Sequence, residues 1–367
     1  MNGSDPDATR SDEPLRVAVL LGGTTGERNV SIASGAQVAR ALRSLGHRVA
    51  CVDTASGPLD DLAENELFRI VAGEAPPTGH ELPSADRSAA LIAGCAEIRQ
   101  ADVVFNALHG GVGEDGTVQA LLAAHGIAAT GSTQLGATLT MNKDVAKQIL
   151  RQSGIATPDW ILATDPAAEL TNVPELPVVV KPSSGGSTLG LSVVRRPEDL
   201  TGAIRKALQY GSTAIIERFV DGAEFTIGVL NGSALGIGEI KLAGTDVFDY
   251  RGKYHPGAAI EQFPARISEE LGSILRRNAE LAHRALRLGS YSRADFRLDP
   301  SGNVWCLEVN VLPGLTGTSL MPQSAAAVGI SFTDLCSHIV QAAVRPRREG
   351  PAQDAADNTW SIGVNAR

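Results

Sequence analysis

Two short alternating runs constrain this chain more than any other feature: Ser292-Arg293-Ala-Asp295-Phe-Arg-Leu298 and, after Asp299-Pro-Ser-Gly-Asn303, Val304-Trp-Cys-Leu-Glu308-Val-Asn310. The connector carries the turn residues of a β-hairpin. Strand side chains repeat every two residues, so Glu308 and Asn310 project from one face. A four-residue loop at 300–303 pairs Asp299 with Val304, sets Asp295 opposite Glu308 and Arg293 opposite Asn310, and gathers them on that face. A five-residue loop slips the register by one and puts Asp295 and Glu308 on opposite faces. The even loop is therefore expected if the cluster is functional. Carboxylates directly opposite one another are destabilising unless something cationic neutralises them. Oxygen ligands packed so closely suit a hard cation such as Mg2+, which takes few protein ligands and shares substrate phosphates. The alternative is a surface hairpin with a cross-strand polar ladder. Pro313-Gly314 then breaks the strand, and Gly314 lets backbone approach a ligand closely.

A chain of 367 residues is too long for one small core, and two or three subdomains are expected. Its net charge of -9 argues against nucleic acid or an anionic membrane as the main partner. No apolar run approaches the roughly 20 residues that span a bilayer, and the polar first 14 residues hold no hydrophobic signal core. Cys51, Cys95, Cys306 and Cys336 form no CxxC, so neither a disulfide framework nor a zinc site is suggested. The expected compartment is the cytoplasm.

Leu15–Leu21 reads as a buried strand, followed by a glycine-rich loop at 22–27, a helix from about Ser31 to Gly46, and a strand at Arg48–Val52. Ala101–Asn106 reads as another strand, before the loop His109–Gly116 and a helix near 117–125. Such alternation predicts a parallel α/β layer. Residues 54–90 read as an irregular excursion. Further on, a helix is expected over Met141–Ser153 and strands at Val178–Lys181, Leu191–Val194 and Ala214–Val220. Asn231-Gly232 marks a hairpin between Glu224–Leu230 and Leu235–Lys241. A helix over about 268–288 carries Leu271, Ile274, Leu275, Leu281, Ala282 and Ala285 on one stripe. The whole reads as an N-terminal α/β domain followed by α+β sheets, with mobile tails at 1–14 and 348–367.

Lys181 ends a strongly apolar strand, where an unpaired charge is costly, and leads into Ser183-Ser-Gly-Gly-Ser-Thr-Leu-Gly190. The backbone N–H groups of such a loop can cradle phosphates, although it lacks the Gly-Lys-Ser/Thr of a Walker A motif; taken alone, a Gly/Ser-rich loop is more often a flexible connector. Lys143, at a helix start, reads alone as a solvated lysine, and Glu217 and Glu224 as salt-bridge partners. Together, Glu217 and Phe219-Val220 fit an edge where adenine stacks, with Glu224 available for ribose hydroxyls. Glu27 follows Gly22, Gly23 and Gly26, whose spacing misses GxGxxG, yet a loop after a parallel strand is a favoured ligand position. His109–Gly116 is a second loop of that kind. Lys253-Tyr254, after Phe248-Asp-Tyr-Arg-Gly, suit a lid.

In order, these segments resemble the D-alanine–D-alanine ligases of the ATP-grasp superfamily, from about Arg16 to Val340. The resemblance rests on Gly22-Gly-Thr-Thr-Gly-Glu-Arg-Asn-Val-Ser31, His109–Gly116 with Thr117, Met141-Asn-Lys143 and Val180-Lys-Pro-Ser183. It continues through Gly186-Ser-Thr-Leu-Gly190, Gly222-Ala-Glu-Phe-Thr226, Asp249-Tyr-Arg-Gly-Lys-Tyr254, Arg293-Ala-Asp295 and the segment from Cys306 to Leu320. It implies an ATP-grasp fold: an N-terminal parallel α/β domain at 15–131 and two α+β subdomains, at 132–220 and 221–347, holding ATP between them. Lys143 and Lys181 would then hold ATP phosphates, Glu217 and Val220 adenine, and Glu224 the ribose, with Lys253 also at the nucleotide. Asp295, Glu308 and Asn310 would bind two Mg2+ ions, for which Mn2+ can substitute. Glu27 would anchor the first D-alanine's ammonium beside His109, while Ser319 and Leu320 receive the second D-alanine's carboxylate. Arg293 and the Gly314 N–H would stabilise the oxyanion, and Ser187 and Tyr254 would link the lid to Glu27. The implied activity is D-alanyl-D-alanine synthesis for peptidoglycan by a homodimer; a related ligase joining other D-amino or hydroxy acids is the alternative. Two departures stand out: Ser184-Gly185 replaces a longer polar pair, and Val311 rather than threonine follows Asn310. Tyr254 matches the dipeptide-forming branch rather than the D-alanine–D-lactate branch.

Overall fold

The computed structural model describes residues 13–70, 88–186, 188–242 and 259–344. Its first sheet holds β1 (Arg16–Leu21), β2 (Arg48–Asp53), β3 (Gly57–Pro58) and β4 (Val103–Asn106) in the order β3-β2-β1-β4. β1 runs parallel to β2 and β4, and β3 returns antiparallel beside β2. The continuous apolar run of β1 has the reason expected of a parallel strand: both faces are covered. Val17, Val19 and Leu21 pack to one side, Ala18 and Leu20 to the other. The helix Arg28–Ser44 starts three residues before the expected Ser31 and lies against β1. A Cβ on its Gly35 would sit 2.6 Å from Leu21 Cβ. The excursion at 54–90 includes β3 and a helix, Asp61–Leu67, capped by Asp60; its residues 71–87 lie outside the described residues.

The second sheet is antiparallel, with β5 (Trp160–Ala163), β6 (Val178–Pro182), β7 (Ser192–Val194) and β8 (Ala214–Arg218) in the order β5-β8-β6-β7. Period-two alternation divides its residues. Val178, Val180 and Ile216 pack with Ala203, Ile204 and Ala207 of the helix Leu200–Ala207, whereas Val179, Lys181 and Glu217 face a cavity. β6 continues through Pro182, paired with Ala214, where a break was expected.

The third sheet, also antiparallel, has β9 (Ala223–Leu230), β10 (Ser233–Leu242), β11 (Ala259–Gln262), β12 (Tyr291–Leu298) and β13 (Val304–Asn310) in the order β11-β10-β9-β12-β13. Asn231 and Gly232, with φ of 50° and 83°, form the expected two-residue turn. The helix Glu269–Ala285 covers one face with Leu275, Ala279 and Ala282. Ile274, expected on that stripe, is 43% exposed; the buried row runs instead through Leu275, Ala279, Ala282 and Leu286.

The β12–β13 hairpin departs from the even-loop expectation in an informative way. Leu298 pairs with Val304, leaving a five-residue loop, and the register shifts between Phe296↔Cys306 and Asp295↔Glu308. Leu307 is the extra residue of a β-bulge. The bulge restores what the odd loop would have lost: Asp295 faces Glu308 and Arg293 faces Asn310. It also lets Cys306 and Val309, three apart, share one core while Leu307 and Glu308 line the cavity.

The helix expected over Met141–Ser153 spans Lys143–Gln152, and a separate helix, Gln134–Met141, precedes it. Asn142 separates them in extended backbone and caps the second, its Oδ1 accepting from Asp144 N at 3.1 Å and Val145 N at 3.2 Å. Near the end of the chain, helix Phe332–Val344 places Leu335, Cys336, Ile339 and Val340 in the core of the first sheet.

Gly222 opens β9 at φ 128°, and a Cβ there would lie 1.9 Å from the Leu298 carbonyl oxygen. Gly222→Ala is expected to destabilise the fold by about 2 kcal/mol or more, measured by urea denaturation; an unchanged midpoint would contradict this packing.

Candidate functional site

A cavity of about 210 Å³ lies between the second and third sheets. Val179 and Lys181 of β6 and Glu217 of β8 form one wall; Glu224, Asp295, Arg297, Leu307 and Glu308 form the other. Loop residues Glu27, Gly110 and Gly186 close one end. Lys143 also reaches it, with Nζ donating to the Gly185 carbonyl at 2.5 Å and its own N–H donating to Ser183 O at 2.8 Å. The start of this helix is thus tied to the glycine loop after β6. Burial pushes the Lys143 ammonium's pKa down.

Lys181 does not stand unpaired at the end of its apolar strand. Its Nζ lies 2.6 Å from Glu217 Oε1, while Lys147 Nζ donates to Glu217 Oε2 at 2.9 Å and to Thr157 Oγ1 at 2.7 Å. Burial acts to raise the Glu217 pKa, but the two ammoniums outweigh it and hold the carboxyl at about 2. Burial acts to lower the Lys181 pKa, and the facing carboxylates, Glu217 foremost, raise it. Lys147 carried no motif. Its signal was its place one helical turn after Lys143, which puts both on one face.

Glu224 is held by a buried arginine that, like Lys147, carries no motif. Arg297 donates to Glu224 Oε2 from Nε at 3.1 Å and from NH2 at 2.9 Å, and its NH1 donates to Val220 O at 2.8 Å. Its guanidinium stands 5.1 Å from the centroid of the Phe219 ring, which also lines the cavity. Arg297 pairs with Glu224 across β12 and β9, so alternation alone put it on the same face as Asp295 and Arg293.

Asp295 joins three strands. It accepts from Arg293 Nε at 2.9 Å and NH2 at 2.8 Å, from Thr226 Oγ1 of β9 at 2.7 Å, and from Asn310 Nδ2 of β13 at 2.9 Å. Glu308 pairs with it across the ladder and lines the cavity. The structure therefore brings together all four hairpin residues singled out in the sequence. Among the described residues no three His, Cys, Asp or Glu side chains are grouped to hold a metal; the expected set is two carboxylates and a carboxamide. Val311, the position of the departure, is 3% exposed and packs in the core.

A smaller pocket of about 70 Å³ adjoins the cavity, sharing Glu27 and Gly186 with it. Glu27, His109, Arg293, Asn310, Gly314, Ser319 and Leu320 all line it. Arg28 fixes the loop before it, forking onto Asp53 at 2.8 and 2.7 Å, while Thr25 Oγ1 donates to His109 O at 2.8 Å. Two glycines admit the Glu27 carboxylate: a Cβ would stand 2.7 Å from Oε2 at Gly110 and 3.3 Å at Gly186. His109 Nε2 lies 3.1 Å from Ser34 Oγ, which accepts from Leu315 N at 3.3 Å. The first sheet's loops are thereby joined to the segment after Gly314. A Cβ on Gly314 would meet Ser319 Oγ at 2.8 Å, and that hydroxyl accepts from Thr316 N at 3.1 Å. Glu114 and Glu261, two further carboxylates, also line it. Ser187, Lys253 and Tyr254 lie outside the described residues.

The chain matches the family model described as D-ala D-ala ligase N-terminus over residues 16–132 and the one described as D-ala D-ala ligase C-terminus over 149–341. It is 39% identical over 328 residues to a D-alanine–D-alanine ligase of Nitratidesulfovibrio vulgaris, covering 89% of this chain and 97% of that one. It is 38% identical over 357 residues to the D-alanine–D-alanine ligase of a Synechococcus species, covering 95% and 99%. Its fold is similar to a crystal structure of D-alanine–D-alanine ligase from Bacillus anthracis complexed with ATP, at a TM-score of 0.70 and 29% identity, covering 91% of this chain and 98% of that one. The fold is of the ATP-grasp class, as expected. The chain belongs to the D-alanine–D-alanine ligase family.

Glu217 ties protonation to stability. Its pKa lies below the ordinary 4.5, so its contribution is complete above about pH 4.5 and is lost as pH falls toward 2. Across that window the urea midpoint of the wild-type protein is expected to fall more steeply than that of Glu217→Gln; parallel slopes would contradict the doubly paired carboxylate.

Proposed function

We propose that this chain is an ATP-dependent ligase that joins two D-alanines into D-alanyl-D-alanine through a D-alanyl phosphate, releasing ADP and phosphate, for peptidoglycan precursor synthesis. The observation that carries this reading is the adjoining pair of sites. A cavity lined by Lys143, Lys181 and Glu308 meets, at Glu27 and Gly186, a small pocket lined by Arg293, Gly314 and Ser319. One suits a nucleotide and the other two small amino acids.

In this reading residues 15–131 form the substrate domain, and 132–220 and 221–347 the two subdomains between which ATP lies. Adenine stacks beside Phe219, bounded by Glu217 and Val220, with the ribose toward Glu224. Lys143 and Lys181 neutralise the phosphates. The hard oxygen donors of Asp295, Glu308 and Asn310 fit Mg2+, and nothing in the set would draw a softer metal instead. Two Mg2+ ions, or Mn2+ in their place, would be held there and would supply neutralisation of charge on the transferring phosphoryl group.

A carboxylate is a poor electrophile. Transfer of the terminal phosphoryl group to a D-alanine carboxylate oxygen releases ADP and gives an acyl phosphate. Glu27, with His109 beside it, pairs with that D-alanine's ammonium. Ser319 and Leu320 receive the second D-alanine's carboxylate and orient its amine, whose nitrogen attacks the acyl carbon. The C–N bond forms, the C–O bond to phosphate breaks, and the proton the amine gives up leaves with the released phosphate. Arg293 and the Gly314 N–H face the developing oxyanion, where each preorganised donor is worth roughly 3–4 kcal/mol. Closure by the segments that hold Ser187, Lys253 and Tyr254 would exclude water from the acyl phosphate. The protein would act in the cytoplasm as a homodimer, with D-alanine and ATP rather than nucleic acid or membrane as partners.

Purified protein with Mg-ATP is expected to release phosphate in response to D-alanine and not L-alanine. D-serine, or D-lactate with D-alanine, tests the broader ligase reading; preference for either over D-alanine would replace the proposed substrate pair. Glu308→Gln and Asn310→Ala are each expected to lower kcat by about 100-fold or more with an unchanged melting temperature; near-normal turnover in either would refute the metal assignment.

A further inference from the structure

Lys147 lies behind the cavity wall, in the helix Lys143–Gln152, and is only 2% exposed. Its ammonium stands 5.0 Å from the centroid of the Trp160 ring and meets Thr157 Oγ1 and Glu217 Oε2. Lys181 holds the other oxygen of the same carboxylate. Lys181 and Glu217 line the large cavity, whereas Lys147 lines a smaller pocket beside it. Two ammoniums and one carboxylate leave one surplus positive charge, and the cavity meets it at Lys181. Without Lys147, Glu217 and Lys181 become a closed neutral pair.

We propose that Lys147 is a positioning residue for the nucleotide: it neutralises Glu217 from behind, so that the charge of Lys181 stays directed at phosphate in the cavity. This rests on the ligase reading given above. It explains a costly arrangement, since a buried lysine without a charge partner would lose its proton and an apolar side chain would fill the same space more simply. The fully buried carboxylate, in turn, fixes both ammoniums at hydrogen-bond distance and sets the height of Lys181 on the wall.

The test is a double-mutant cycle on the full chain, read by calorimetric binding of a non-hydrolysable ATP analogue with Mg2+. Lys147→Met is expected to weaken binding about tenfold or more where Glu217 is present, and less than about twofold in Glu217→Gln, whose amide needs no neutralisation. Binding of adenosine, which has no phosphate, is expected to be unchanged by Lys147→Met. Equal weakening of the analogue in both backgrounds, or equal weakening of adenosine, makes Lys147 a packing residue and overturns the inference. If Lys147→Met does not fold, Lys147→Gln takes its place in the cycle, with the same two outcomes. Wild-type protein that binds no nucleotide overturns the ligase reading and this inference with it; wild-type binding without coupling overturns the inference alone.

Discussion

The residues between the second and third sheets are held in place by the need to pair buried charge. Glu217, Lys181, Lys147, Glu224, Arg297, Arg293 and Asp295 are all at most 9% exposed, and each lies against an opposite charge. Such pairs add little net stability, because desolvation offsets their attraction; removing one partner, however, costs roughly 3–5 kcal/mol. What they supply is position. Lys147 ties a helix to two strands through Glu217, and Arg297 ties β12 to β9 and to the Val220 carbonyl. Asp295 gathers Arg293, Thr226 and Asn310 from three strands. The cavity is the space these pairs leave open.

Much of this was legible from residue order. The buried character of β1 follows from its unbroken apolar run, and Asn231-Gly232 specifies its turn because both positions need positive φ. The hairpin face of Asp295, Glu308 and Asn310 was also legible, although by a different route from the real one. An even loop and an odd loop with a bulge give the same facing pair, and the bulge at Leu307 is chosen by the core, which takes both Cys306 and Val309. Sequence spacing does not contain that choice. Asn142 was similarly hidden inside a continuous helical pattern, because its capping role appears only once the backbone turns there.

Long-range pairing accounts for most of what was missed. Lys147 and Arg297 read as ordinary basic residues until β8 and β9 place carboxylates against them 70 and 73 residues away in the chain. The helix Phe332–Val344 is amphipathic, but its partner is the first sheet's core, at the opposite end of the sequence. The seam between the two pockets likewise depends on Gly110 and Gly186, which come from different sheets' loops and leave room for one carboxylate, Glu27.

These two adjoining pockets make one chemical claim: a small carboxylate is activated by phosphoryl transfer before an amine attacks it. The most direct measurement follows heavy oxygen placed in the carboxylate of D-alanine during turnover with ATP. If that oxygen accepts the phosphoryl group, the label leaves with the inorganic phosphate, one labelled oxygen for each dipeptide formed. Phosphate released without label, while dipeptide accumulates, would contradict the account.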